Sequence, residues 1–382
     1  MKNILYLHTG AELYGADVIL LELLKGLDRS KYNPYVILPN NGPLVNEIKK
    51  LNINVLVKDY PILRRQFFTP LGIIKYLGGL ILSLIWMSRF ISKNHIDIIQ
   101  SNTLAVLEGG FLHIIRRKPH IWHVHEIIKS PNFLRVFYRK FVPVACTKVL
   151  CVSKAVKNNL SSKNNKHNNK LVVVHNGINI EKFKPFKDNN IREELNLPGD
   201  EILVGMIGRV NNIKGQGFLL DVAREICKKH DNVSFLMVGD AFSGQEKLME
   251  DLVEASKCPS LKGKVYIEGF RKDTPSIYNN LDIFVLPSIK PDSFPTVVLE
   301  AMSTGLPIVA NVTGGVKEMV KDSVNGFLIS DIDRSKMAKK LNTLIENTEL
   351  RDRFGKMSRR IIEENFTSGV FHKKINRLYE EV

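Results

Sequence analysis

In the stretch PDSFPTVVLEAM, residues 291–302, Asp292 and Glu300 stand eight positions apart around a proline, with mostly apolar residues between them. Two carboxylates that face each other on one helix need a spacing of three, four or seven. Eight steps of about 100° leave them about 80° apart and two turns displaced, so they are not a paired acid–base dyad. Pro295 suits the first turn of a helix, and Ser293 is the expected cap. Asp292 is then expected in the loop and Glu300 on the helix. Free backbone amides at such a helix start attract anions, so the segment suits a ligand with a phosphate at the helix tip and hydroxyls to either side.

A second constellation lies in GRVNNIKGQG, residues 208–217, directly after an apolar run. Its glycines let backbone approach a ligand closely, and Arg209 and Lys214 bring two cations to a strand-to-helix junction whose helix is expected near Gly215. That chemistry suits a diphosphate. The order GxxxxGK[ST] is absent and no GxGxxG follows a strand, so nucleoside-triphosphatase and dinucleotide readings lose support. The four cysteines form no CxxC pair and have no His partner at metal spacing. No metal site is expected, and the thiols read as reduced and mostly buried in a cytoplasmic protein.

These residues need elements to position them. In the first half the apolar runs ILYLH, PYVIL, INVLV, DIIQS, HIWHVH, KVLCVS and KLVVVHNG alternate with helical stretches; in the second, ILVGMIG, VSFLMVG, VYIEG, IFVLPS, PIVAN and GFLIS do the same. Continuous apolar runs, as opposed to alternating ones, indicate strands covered on both faces, as in parallel sheets. A chain of 382 residues exceeds one ordinary core, so two doubly wound α/β domains are expected, with the linker in EKFKPFKDNN near residues 181–190. The cleft between two such domains is the default binding site. The opening MKNILYLHTG reads as a first strand, not as a signal peptide.

Charge is unevenly placed. Residues 1–180 carry 25 Lys and Arg against 9 Asp and Glu, whereas residues 181–382 carry 30 against 30, so the first half holds the whole formal excess of +16. A polyanion or an anionic membrane surface is a candidate partner for that half alone. In residues 61–94, PILRRQFFTPLGIIKYLGGLILSLIWMSRFISKN, the cations Arg64, Arg65, Lys75, Arg89 and Lys93 flank or interrupt an apolar stretch. Only 13 residues separate Lys75 from Arg89, about 20 Å of helix, short of the roughly 30 Å hydrocarbon core. An interfacial helix on the cytoplasmic face of a membrane is expected here, and no transmembrane span.

The motifs GRVNNIKG, VYIEGF, NNLDIFVLPS, PDSFPTVVLEAM, GLPIVANVTGGVKEMV and NGFLI, in this order, resemble the C-terminal domain of family 4 retaining glycosyltransferases (glycosyl transferases group 1) of the GT-B fold. YGADVILLELLKGL, HVHE, CVSKAVKNNL and HNGINIEKFKP are similar to the family's N-terminal segments, so the resemblance covers nearly the whole chain. It implies two Rossmann-like domains facing across a deep cleft: 1–182 for the acceptor, 183–365 for the nucleotide-sugar donor, and a C-terminal helix, 366–382, packing back towards the first. Residue by residue, it implies that Arg209 and Lys214 hold the donor diphosphate and stabilise the leaving group. Glu300 accepts hydrogen bonds from the ribose hydroxyls, and Asp292 faces the sugar and phosphate. Gly208 and Ser293 belong to the donor site, and the backbone around Phe294, Pro295 and Thr296 cradles the diphosphate. Gly269 and Phe270 meet the base, Gly15 belongs to the first glycine-rich loop, and His125 lies near the donor sugar. His123, two positions earlier, shares its face and receives no role. The two acids stand apart because they bracket a long ligand: Pro295 to Glu300 is about 7.5 Å along a helix.

Two positions depart from the family pattern. Its first acid is usually a glutamate, one methylene longer than Asp292, and its paired glycine is here Tyr14–Gly15. Asp17 is equally readable as a helix N-terminal charge. The implied reaction is transfer of a sugar, of hexosyltransferase type, with retention at the anomeric carbon, the leaving phosphate taking the acceptor's proton. No metal and no cofactor are implied, since the nucleotide sugar is a co-substrate. The acceptor is expected to be a saccharide or lipid-linked saccharide in cell-surface polysaccharide or glycolipid synthesis, met at the inner face of the cell membrane. Two rivals stand beside this reading. A sugar-nucleotide 2-epimerase needs carboxylates and histidines poised for proton abstraction, and no such set is visible. A non-catalytic nucleotide-sugar or polyanion-binding protein has only the charge to support it, and no aromatic RNA-binding motif accompanies that charge, so no nucleic-acid partner is expected.

Overall fold

The computed structural model describes residues 1–162, 167–242 and 244–382, with the side chain of residue 65 outside the description. The chain divides into two compact units, residues 1–177 with 368–382, and residues 178–367. The first crossing therefore lies at 177/178, ahead of the 182/183 boundary read from the sequence. The reason is local: Ile178 N–H donates to the Phe366 carbonyl at 2.8 Å, which ties the incoming chain to the end of the second unit.

The first unit is built on seven parallel strands, β1 (Lys2–Leu7), β2 (Tyr32–Leu38), β3 (Asn54–Val57), β4 (Ile96–Asn102), β5 (His120–Val124), β6 (Lys148–Cys151) and β7 (Leu171–Val173). They lie in the order β3-β2-β1-β4-β5-β6-β7. The connecting helices are α1 (Gly15–Lys25), α2 (Pro43–Lys50), α3 (Pro70–Lys93), α4 (Glu108–Arg116), α5 (Asn132–Val144) and α6 (Lys154–Leu160). Each of Ile4, Leu5, Tyr6 and Leu7 is fully buried. Ile4 and Tyr6 join one cluster with α1, while Leu5 and Leu7 join another with Met87 and Ile91 of α3 and Leu112 of α4. Two covered faces are what an unbroken apolar strand requires.

The second unit repeats the plan with β8 (Ile202–Ile207), β9 (Val233–Val238), β10 (Val265–Glu268), β11 (Ile283–Leu286), β12 (Ile308–Asn311) and β13 (Gly326–Ile329), in the order β10-β9-β8-β11-β12-β13. Its helices are α7 (Asn190–Glu194), α8 (Gln216–Ile226), α9 (Lys247–Ser256), α10 (Thr274–Asn280), α11 (Thr296–Ser303), α12 (Arg334–Ile345) and α13 (Thr348–Asn365). In each sheet the strand order reverses beside the first strand, at β1/β4 and at β8/β11. Ligands of such sheets bind beyond the carboxyl ends of the strands at that reversal. The last helix, α14 (Ser368–Glu380), belongs to the first unit. Phe371, Ile375, Leu378 and Tyr379 on it enter the same cluster as Ile4 and Tyr6, and the Tyr379 hydroxyl donates to Gln100 Oε1 at 2.5 Å. Cys146 and Cys151 are buried, and burial pushes both thiols up to about 12; Cys227 and Cys258 are half-exposed, so only two of the four thiols are core groups.

Candidate active site

At the β8 end the chain turns through Gly208 and Arg209 and reaches α8 by way of Gly215. Gly215 has φ +81°, and a Cβ there would collide with the Pro287 carbonyl, so glycine alone lets the loop lie against the end of β11. Asn211 fixes the turn: its Oδ1 accepts from the amides of Ile213 and Lys214 at 2.8 and 3.0 Å. Gln216 Nε2 donates to the Arg209 carbonyl at 3.0 Å. These bonds aim Lys214 at Asp292, and its ammonium forms an ion pair with Asp292 Oδ2, both side chains being largely shielded from water. The Arg209 guanidinium lies over the Phe242 ring, 3.4 Å from its centroid.

Asp292 is held from behind. Gly315 N–H donates to its carbonyl at 2.9 Å, and Gly314, at φ +61°, packs so closely on the Asp292 backbone that a Cβ has no room. The glycine pair of VTGGV thus braces the acidic loop. α11 begins at Thr296 with Pro295 itself in the cap position and no side-chain cap, which corrects the expectation for Ser293. Proline has no N–H, so the amides that α11 offers an anion are those of Thr296 and Val297, whose helical partners do not exist. The Phe294 side chain is buried and packs on Phe366, ring centroids 5.7 Å apart. Glu300 sits on α11 and accepts from the Tyr278 hydroxyl of α10 at 2.8 Å. Burial raises the Glu300 carboxyl above its ordinary range, and the Tyr278 hydroxyl and Lys182 ammonium oppose that rise.

The β10 end carries Gly269 and Phe270. The Phe270 amide donates to Asp240 Oδ2 at 2.9 Å, and the Phe270 ring is 55% exposed. Three strand ends are knitted together here: Gly208 N–H donates to Val238 O, Gly239 N–H to Glu268 O and Val210 N–H to Asp240 O, each at 2.9 Å. The second unit therefore brings Gly208, Arg209, Lys214, Asp292 and Glu300 to one end of its sheet, with Gly269 and Phe270 on the neighbouring strand end.

The first unit gathers its own set. His125 follows β5, and its ring lies 4.2 Å from that of His123; burial pushes His123 down to about 3 and His125 well below its ordinary value. His125 is thus a neutral imidazole at pH 7, able to exchange hydrogen bonds with a hydroxyl but not to act as a standing cation. Glu126 beside it accepts from the amides of Leu104 and His125 at 3.0–3.1 Å, and burial lifts its carboxyl to about 7. Asp17 is more than a helix-end charge: one oxygen accepts from the Tyr14 amide at 3.0 Å and the other meets His8 Nε2 at 2.5 Å. That pair pins the loop holding Tyr14 and Gly15, and the space above Gly15 Cα is open. Among the described residues, no three His, Cys, Asp or Glu side chains are grouped so as to hold a metal ion.

Sequence reasoning missed His8, Asn211, Asp240 and Tyr278. His8 ends an apolar strand as His125 does, a signal open to reading. Asn211 turns its own loop, accepting from amides two and three residues on, as asparagine commonly does in turns; Asp240 and Tyr278 act through hydrogen bonds to residues 30 and 22 positions away, for which their one-letter neighbourhoods carry no mark.

Two reversed parallel sheets, each with its charged or imidazole side chains at the carboxyl end of the strands, define an α/β protein of the GT-B class. A family model described as "Glycosyl transferases group 1" matches residues 187–361, and one described as "Glycosyltransferase Family 4" matches residues 14–182. The chain belongs to the family 4, group 1 glycosyltransferases, and it is an enzyme of that kind. Its fold is similar to that of Anabaena Alr3699/HepE solved in complex with UDP-glucose: 25% identity, 100% of both chains, TM-score 0.84. In sequence it is similar to the Escherichia coli UDP-Gal:alpha-D-GlcNAc-diphosphoundecaprenol alpha-1,3-galactosyltransferase, 28% identical over 85% of this chain and 86% of that protein. It is also similar to spore coat protein SA of Bacillus subtilis, 28% identical over 57% of this chain and 60% of that protein.

Proposed function

We propose that the protein transfers a sugar, with retention at the anomeric carbon, from a uridine-diphosphate sugar to a lipid-linked saccharide in polysaccharide or glycolipid synthesis. The observation that carries this reading is the ion pair between Lys214, on the loop before α8, and Asp292, on the loop before α11, with Glu300 on α11 held by Tyr278. A diphosphate that reaches Lys214 draws its ammonium away from Asp292, leaving that carboxylate free to meet the sugar. Arg209 takes the second phosphate, the Thr296 and Val297 amides add their dipoles, and Glu300 accepts the two ribose hydroxyls. In the transfer, the bond from C1 to the diphosphate oxygen breaks and the bond from C1 to the acceptor oxygen forms on the same face. The acceptor's proton passes to the departing diphosphate oxygen. Arg209 and Lys214 stabilise the charge that develops there, so no protein base is needed, and His125 serves as a neutral hydrogen-bonding partner of the sugar. No metal and no cofactor take part in this scheme.

The lipid-linked acceptor and the uridine base rest on the likeness to the E. coli galactosyltransferase and the Anabaena protein. The test is incubation with a panel of nucleotide sugars and an undecaprenyl-diphosphate saccharide, reading nucleoside diphosphate release and the anomeric configuration of the product. Acceptor-dependent release of UDP with the donor's configuration preserved is the expected result. An inverted product, or release from no donor, would overturn the proposal.

A further inference from the structure

The helix α3 is 24 residues long, yet it buries only one stripe. Tyr76, Leu80, Ser83, Met87 and Ile91 face inward at helical spacing. Met87 and Ile91 pack on the sheet cluster, and Ser83 Oγ donates to Glu108 Oε1 of α4 at 3.3 Å. The outward surface is apolar too: Leu71 is 81% exposed, Ile74 and Leu82 67%, Ile81 59%. An 18-residue window of α3 has a mean hydropathy of 1.7 while only 22% of it is buried. The outward face of an ordinary surface helix is polar, whereas Lys75 is the one charged residue between Pro70 and Ser88.

The apolar surface continues onto a second element. Phe68, just ahead of α3, meets Phe133 in the first turn of α5 edge-on, ring centroids 5.9 Å apart, and Phe133, Val136 and Phe137 are exposed. Around this facet stand exposed cations: Arg64, Lys75, Arg89 and Lys93 on and beside α3, Lys129 and Lys140 on and beside α5. The side chain of Arg65 lies outside the described residues. No Asp or Glu occurs between residues 60 and 96 or between 127 and 180.

We propose that the joint α3–α5 facet is a seat for an anionic lipid bilayer, with α3 lying in the headgroup plane. A large apolar face ringed by cations and free of acids complements the acyl boundary and the anionic headgroups together. A second copy of this chain fits less well, because a self-complementary contact would set the same cations against one another without a carboxylate to pair them. Crossing the membrane would tear Tyr76, Ser83 and Met87 from their domain and uncover the sheet. The facet stands on this surface chemistry alone; its use in meeting a lipid-linked acceptor rests on the function proposed above.

The test is co-sedimentation of the full chain, without donor, with vesicles of phosphatidylglycerol and phosphatidylcholine against vesicles of phosphatidylcholine alone. Pelleting with the anionic vesicles that weakens as salt rises is the expected result. Arg64→Gln with Lys75→Gln should weaken partition by about fivefold for each cation removed, and Ile74→Glu with Leu82→Glu should abolish it. Val324→Glu, an exposed apolar position of the second unit, should leave it unchanged. All these side chains are exposed, so melting temperatures stay close to the parent's. Absence of pelleting at low salt, or full pelleting of the Ile74→Glu, Leu82→Glu chain, overturns the proposal. So does a dimer in sedimentation equilibrium that those two substitutions dissolve, since a second copy then covers the facet. Nucleoside diphosphate binding, measured on the same variants, is expected to be intact, so a failure here is distinct from a failure of the donor site.

Discussion

Lys214 and Asp292 share one ion pair, and their substitutions should have opposite effects on the product complex. Lys214→Ala removes a cation from the diphosphate and should weaken nucleoside diphosphate binding by about 1.5–3 kcal/mol, the range for hydrogen bonds to charged groups. Asp292→Asn removes the carboxylate that competes for the same ammonium. It should leave nucleoside diphosphate binding unchanged or tighter while depressing kcat, because the lost contact is to the sugar. Calorimetric titration of the two variants, set beside their turnover, checks the pair; equal losses of affinity in both would contradict it. Glu300 gives a pH signature. Its carboxyl is raised by burial, and it must be ionised to accept two ribose hydroxyls, so donor affinity should fall on acidification from a higher pH than an ordinary glutamate dictates. Tyr278→Phe removes the donor that opposes the rise and should move the acid limb of affinity further up. An acid limb that stays put in Tyr278→Phe would show that Glu300 does not govern binding.

At the scale of elements, the packing of α3 on α4 encloses an unusual carboxyl. Glu108 is fully buried, and burial lifts it from an ordinary 4.5 to about 8, with the Ser83 hydroxyl opposing. Below about pH 4.5 both folded and unfolded states hold the proton. Between 4.5 and 8 the folded chain keeps a proton that the unfolded chain releases, so stability declines as pH rises through that window. Glu108→Gln keeps the shape and removes the slope. Relative to the parent it should gain on the order of a few kcal/mol between pH 5 and pH 9, read from urea melts at the two values; a parallel pH profile in both chains would refute the assignment. The same elements mark what the sequence discloses. Each of the thirteen strands described overlaps an apolar run quoted above, because a strand covered on both faces must be apolar at consecutive positions, as Ile4 to Leu7 are. Arg209, Lys214 and Asp292 were visible because their charges follow such runs in the loops after β8 and β11, and Glu300 because it interrupts the apolar helix α11. The cap at Ser293 was misread, since a serine before a helix looks the same whether or not its hydroxyl reaches the helix. The partner of Glu300, Tyr278, lies 22 positions away on another helix, and that pairing depends on how α10 and α11 come together, which local spacing does not encode.

At the scale of the molecule, the chain returns to its first unit through α14. Phe371, Ile375, Leu378 and Tyr379 are nearly inaccessible there, and each such side chain contributes about 1.5–3 kcal/mol by burial. Removing residues 368–382 should therefore abolish cooperative folding of the first unit, whereas the second unit, whose core contains none of these residues, should keep its own transition. A single unchanged melting profile would show that α14 is not integral. Activity should also survive chelation, since the proposed chemistry draws its positive charge from Arg209 and Lys214. Loss of turnover in chelator with rescue by magnesium or manganese would require a different mechanism.

The most direct test of the donor site is thermal unfolding with and without nucleoside diphosphates, for the parent chain, Lys214→Ala and Glu300→Gln. One nucleoside diphosphate at a hundred times its dissociation constant should stabilise the parent by about 2.7 kcal/mol, and at that same concentration each variant should lose most of the shift. If no nucleoside diphosphate moves the parent's transition, or if both variants shift as far as the parent, the site built from β8, α8 and α11 does not bind the donor.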